Sequence, residues 1–231
     1  MVPGSMQLFL GRARFLSGQM KDELRSRFNR ARKRKGEGRQ SRQEILAAAK
    51  RLFVKEGYGA TTIRRIAANE GISSTALYVY FQDKDAILAE ICNETFAALI
   101  QNLDDIRREF PEPLQALEHA LEGYIRFGLD HPNEYELTFM SRRARELEES
   151  ELGTEELGTQ AFDGFYGCVD AVVQAGLAYE SDPHRLTHQL WAGAHGLVAL
   201  LLLKPGLQWE ELNSLIRSHV VMLIHGVTRH P

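Results

Sequence analysis

From Ser41 to the end of the chain, apolar residues recur at three- and four-residue intervals and nowhere alternate at the period of a strand. The pattern predicts an all-α protein. Ile45, Leu46, Ala49, Leu52 and Phe53 make the first stripe. Ser41-Arg42-Gln43-Glu44 opens it like a capping box, with Glu three residues after Ser, and Gly57 closes it. Thr61 or Thr62 caps a second, short helix over 63–70 that carries Ile66 and Ala67 and stops at Gly71. Ser73 caps a third over 74–81, and Asp83 caps a long fourth that reaches about Phe110. Three short helices, with a glycine turn between the second and third, describe a helix-turn-helix.

Beyond Pro111 the same period predicts helices over 114–130, stopped by His131-Pro132, and over 133–143, 159–177, 183–203 and 209–227. Residues 145–158, rich in Glu and Gly, read as a loop or a mobile helix start. The longest apolar run, Leu190 to Leu203, is 14 residues. That falls short of the roughly 20 that cross a bilayer, so no membrane association is expected. Cys92 and Cys168 form no Cys-x-x-Cys pair, and no secretory leader is evident, which fits a reducing cytoplasm.

The net charge of −3 hides a split. Residues 1–85 hold 18 Lys/Arg against 8 Asp/Glu, and residues 86–231 hold 10 against 23. A basic first third suits a polyanion such as nucleic acid, and the acidic remainder should sit away from it. Residues 1–40 read as a basic, flexible arm, either solvated or laid on DNA; within it Met1 to Ser5 look like a cloning scar.

Leu77 and Phe81, four apart, would pack the third helix on Ile66 and Phe53. Ser74, Thr75, Tyr78 and Tyr80 are then left for the outer face, where a recognition helix meets the major groove. Thr62 and Ser73 place hydroxyls at helix N-termini, which suits either capping or phosphate contact. Lys84 supplies a charge at the same level, and Arg64 joins these candidates. Surface packing is the plainer alternative for the two tyrosines. A face of this kind without Arg draws much of its affinity from phosphates.

The stretch Thr62 to Leu88 resembles the TetR family of bacterial transcriptional regulators. The matching positions are Thr62, Ile66-Ala67, Gly71, Ser73, Leu77-Tyr78, Phe81, Lys84 and Leu88, preceded by Phe53 and Gly57. Glu70 and Thr75 depart from the residues usual at their places. The resemblance implies a DNA-binding domain over 41–88 and a helical ligand-binding and dimerisation domain over 89–231. It implies a homodimer on a palindromic double-stranded operator, and a repressor released by a small apolar or aromatic inducer. Trp191-Ala192-Gly193-Ala194-His195-Gly196 and His131-Pro132-Asn133-Glu134-Tyr135 resemble stretches of one subfamily of such ligand domains.

Phe127, Tyr135, Phe139, Met140, Phe162, Phe165, Tyr166, Trp191 and His195 are the candidates to line its pocket. Any one of them is as readily core. The resemblance also implies a dimer interface on the last two helices. Leu197, Val198, Leu201 and Leu202 would pair there with Leu212, Leu215, Ile216, Val220, Leu223 and Val227, and Gly193 and Gly196 would allow close approach.

His184, His188, Trp191 and His195 share one helix face. Two His at i, i+4 can chelate a metal, but no further ligand has motif spacing, so polar groups in a pocket or a seam are expected instead. No phosphate loop, nucleophile elbow or carboxylate pair appears, so neither a cofactor nor an enzyme is expected. Two other classes remain open: a non-specific architectural DNA binder using the arm, and an enzyme with its active site in the helical cavity.

Overall fold

The computed structural model describes residues 37–148 and 154–228, most of them helical. The basic tract before Glu37 lies outside the described residues. Helix α1 spans Glu37–Glu56, α2 Ile63–Asn69, α3 Ser74–Tyr78 and α4 Lys84–Glu109. Helix α1 starts four residues before the predicted cap, so Ser41 is a buried interior residue rather than an N-cap. The other caps are local and legible. The side chains of Thr62, Ser73 and Asp83 accept the backbone N–H of Arg65, Ala76 and Ala86. Thr61 is instead buried, its hydroxyl donating to the Leu52 and Gly57 carbonyls. Gly71 turns the chain between α2 and α3 at φ +66°, where a Cβ is disfavoured. Helix α3 ends at Tyr78, three residues early; Val79 and Tyr80 continue as a turn.

The head packs on Ile45, Leu46, Leu52, Phe53, Ile66, Leu77 and Phe81, and its core runs on past Leu88. Leu137, Ala144 and Leu147 are buried in the same cluster. They come from a region that the sequence reads as one helix and a loop. The structure corrects both. After α5 (Pro113–Asp130), Pro132–Tyr135 form the one-turn α6, and Glu136–Met140 wind as a π-turn. Ser141 is extended, and α7 follows over Arg142–Glu148. The polar composition of Arg142–Glu148 concealed a helix whose buried residues, among those described, are Ala144 and Leu147.

The remaining elements are α8 (Thr154–Gln174), α9 (Pro183–Leu203, capped by Asp182) and α10 (Leu212–Val227, capped by Glu211). Helix α8 thus starts five residues before the predicted 159, and α10 three after the predicted 209. With α5 they enclose a second core built on Leu117, Leu121, Ile125, Tyr135, Val169, Leu190 and Val198. Helix α9 is 21 residues long and, by length and composition alone, apolar enough to cross a membrane. Its Leu186, Leu190, Ala194, Leu197 and Val198 are buried here in the second core.

That burial corrects the expected dimer face. Leu197, Val198, Ile216, Val220 and Val227 are consumed inside the subunit, because the 3.6-residue period turns the first two towards α5 and α8 and lays α10 against α5 and α9. Leu201, Leu202, Leu215 and Leu223 are half-buried against the same core. On α9 and α10, Leu200, Leu203, Leu212, Val221 and Met222 are the large apolar residues left exposed. Gly193 admits the Leu223 side chain, which would stand 2.6 Å from a Cβ there, whereas Gly196 faces open space.

Candidate functional site

Two places draw together residues of functional chemistry. The first is the outer face of α2 and α3. Thr62, Ser73, Thr75 and Arg64 are exposed, Ser74 is half-buried, and Tyr78 is 55% exposed. The free N-termini of both helices therefore face outward with hydroxyls beside them. Tyr80 is drawn inward, packing against the head core while its carbonyl accepts a hydrogen bond from Arg42 at 2.8 Å. Val79, which the sequence pattern did not single out, is 80% exposed. Its signal was an apolar residue at a position the packing of Leu77 and Phe81 cannot reach.

Lys84 is less free than its position suggests. Its ammonium donates to the carbonyls of Tyr58 at 2.6 Å and Thr61 at 2.9 Å and lies 4.1 Å from the Tyr58 ring centroid. Burial pulls its pKa down. One of its three donors remains for a phosphate.

Beside Lys84, Asp85 is gripped by Arg143 from α7, with Nη2–Oδ2 at 2.6 Å and Nε–Oδ1 at 3.0 Å. The Tyr58 hydroxyl also donates to Asp85. The Arg143 guanidinium foremost, with the Tyr58 hydrogen bond adding to it, holds the Asp85 carboxyl below its usual range. Burial pushes the Tyr58 phenol up. A second tie joins Lys50 of α1 to Glu134 of α6 at 3.1 Å and to Glu94 of α4 at 3.5 Å.

The second place is a cavity of about 350 Å³ between α4, α5, α8 and α9. Phe139, Phe162, Phe165 and Trp191 of the nine candidates line it. Five do not. Tyr135 is fully buried beneath it, and Met140 and Phe127 pack into the second core, Phe127 against His131. Tyr166 turns away to the His184 ring at 4.4 Å. His195 sits behind Tyr124 and Tyr135. The missed wall is on α4, where Phe96, Leu99, Leu103 and Ile106 face α8, together with Tyr124 of α5. Their three- and four-residue spacing is a signal for a shared helix face, but it does not say that the facing volume is empty.

Tyr124 carries the polar edge of the cavity. Its hydroxyl accepts from Trp191 Nε1 at 3.0 Å and shares a 2.8 Å hydrogen bond with the Tyr135 hydroxyl, which lies 2.5 Å from His195 Nδ1. Burial pushes the Tyr124 phenol up to about 12 and Tyr135 higher still. Burial also holds the His195 imidazole below its ordinary value, favouring the neutral ring. The other polar wall groups are Asn102, Glu155, Thr159 and Thr154, whose buried hydroxyl has no hydrogen-bond partner among the described residues. Among the described residues the wall holds no Lys, Arg or His. His184 and His188 stay outside it, His188 Nδ1 lying 2.8 Å from the His184 carbonyl.

The model of the family described as bacterial regulatory proteins, tetR family, matches residues 45–91. A second, described as tetracyclin repressor-like, C-terminal domain, matches residues 117–221. The chain is 38% identical over 81 residues to the HTH-type transcriptional regulator HbdR of Aromatoleum, covering 35% of this chain and 32% of that protein. It is 29% identical over 114 residues to the HTH-type transcriptional repressor BepR of Brucella suis, covering 48% and 54%. The chain thus spans about a third to a half of the length of these curated relatives. Among solved structures, the ketosteroid transcriptional regulator KstR2 of Mycobacterium tuberculosis superposes with a TM-score of 0.69 at 20% identity, over 82% of this chain and 96% of that one.

Proposed function

We propose that this chain, which belongs to the TetR family of bacterial regulatory proteins, is a cytoplasmic, homodimeric repressor that leaves a palindromic DNA operator when a small ligand fills its helical cavity. One observation carries the reading. The helix that begins at Lys84 and Asp85, inside the DNA-reading head, goes on to supply Phe96, Leu99, Leu103 and Ile106 to the cavity wall. A ligand that prefers the wall in its shifted position must also shift the head. Thr62, Arg64, Ser73 and Lys84 serve the phosphates, while Ser74, Thr75, Tyr78 and Val79 face the bases. Tyr80 supports the reading face from beneath. The exposed Leu200, Leu203, Val221 and Met222 are the surface for a second copy, which sets two heads about one helical turn of DNA apart.

The ligand is apolar, aromatic and neutral or cationic. An anionic group would meet Glu155 and no compensating cation among the described wall residues. The test has two parts. Selection from random duplexes should return a two-fold symmetric sequence; even binding to all duplexes would favour a non-specific binder. Titration with candidate ligands should change Trp191 emission and weaken binding to that sequence about 5–150-fold, a coupling of ~1–3 kcal/mol. Ligands that move Trp191 emission and leave DNA affinity untouched would refute release.

A further inference from the structure

Helix α4 is the obvious connection between head and cavity, but a second one is built through Arg143. Phe139 stands on the cavity wall within the π-turn, edge-on to Phe96 with ring centroids 5.6 Å apart. Four residues later, across the single extended residue Ser141, Arg143 holds both oxygens of Asp85. Asp85 accepts the Tyr58 hydroxyl, and the Tyr58 carbonyl shares the Lys84 ammonium with the carbonyl of Thr61. Thr61 directly precedes Thr62, the cap of α2. Ala144 and Leu147 meanwhile pack α7 into the head core. Every step from a cavity residue to the DNA-facing cap is thus a bond, a bidentate ion pair or a packed contact.

We propose that Arg143 is a positioning residue which transmits occupancy of the cavity to the head, independently of bending in α4. A ligand that displaces Phe139 drags Ser141 and the start of α7, and Arg143 carries Asp85 and the α1–α2 loop with it. The π-turn suits this role, because its wider winding is readily exchanged for an α-turn, rotating the helix beyond it. A chain of contacts is not yet coupling, so the experiment must measure coupling. The inference rests on the ligand-cavity function proposed for this chain, and its test separates the two.

Amide hydrogen exchange is followed in the full chain with and without saturating N-phenyl-1-naphthylamine, a neutral apolar fluorophore. In the wild type the probe should protect residues 96–106 and alter exchange over 57–66 by about fivefold or more, the lower end of ordinary coupling. Arg143→Met should keep the protection of 96–106 and lose the response over 57–66. Asp85→Asn should do the same from the other side, and Arg143→Lys should restore part of it. A purely structural ion pair would lower the melting temperature of Arg143→Met and leave the response over 57–66 intact. That outcome overturns the proposal, as does a wild type protected at 96–106 and unaltered at 57–66. Failure to protect 96–106 refutes the cavity reading and the proposal together. A wild type that relays the probe to 57–66 but selects no DNA sequence refutes the operator reading and leaves the Arg143 relay standing.

Discussion

Gly128 of α5 and Val198 of α9 meet so closely that a Cβ on Gly128 would stand 2.6 Å from a Val198 methyl carbon. The Tyr135 ring would lie 2.9 Å away on the other side. Both neighbours are fully buried, and Val is stiff at χ1, so neither can yield cheaply. Gly128→Ala should therefore destabilise the protein by about 1–3 kcal/mol by overpacking. Gly193→Ala, which meets only the end of the flexible Leu223 side chain, should cost less. Thermal melts of the two variants should rank in that order.

Base reading and phosphate holding should separate in the head. Thr62→Ala and Ser73→Ala each remove a cap, costing about 1 kcal/mol of stability. They should weaken binding to all duplexes alike. Val79→Ser and Tyr78→Ala should change the preferred sequence, at about 1–3 kcal/mol per affected base pair. Repeating the duplex selection with each variant checks the division; a Val79→Ser protein that selects the wild-type sequence removes Val79 from the reading face.

Acid should loosen the second core through His195. Its pKa is lowered in the folded state by burial among Tyr124 and Tyr135, so the unfolded chain binds the proton more readily. Stability is then greatest above the unfolded value of about 6.5 and falls as pH drops below it. Between pH 7 and pH 5 the melting temperature of the wild type should fall further than that of His195→Gln. Equal falls in the two would place the acid-sensitive group elsewhere.

The exposed rows of α9 and α10 should govern assembly. Leu200→Glu with Met222→Glu should yield a folded 26.2 kDa monomer by light scattering, where the wild type gives twice that mass. Leu197→Ala should instead unfold more easily while still pairing, since that side chain is inside the subunit.

How much the sequence disclosed depends on how far each signal reaches. Ser73 and Asp83 were legible as caps, and Thr62 as one of two candidates, because a cap is settled within three residues. Ser41 misled for the same reason: a capping-box pattern cannot register that helical residues precede it. The α4 wall was half legible. The helix itself was predicted, but whether the side of it carrying Phe96, Leu99 and Leu103 meets core or cavity depends on α8 and α9, distant in sequence. The same limit put Leu197 and Val198 on the dimer face, because an apolar stripe does not say which of two partners it meets. Arg143 was invisible, since nothing near it in sequence tells of Asp85, 58 positions earlier.

The burial of Leu137, Ala144 and Leu147 among head residues bears on how such proteins can be recombined. A head cut at Leu88 and grafted onto a foreign body would expose the floor on which those three side chains rest. Domain exchange at that boundary would produce sticky, poorly folded hybrids, and a working graft would need to carry α7 along. In this chain the smallest transplantable unit is therefore discontinuous: the first three helices, the start of the fourth, and a short piece of polypeptide borrowed from farther along the chain.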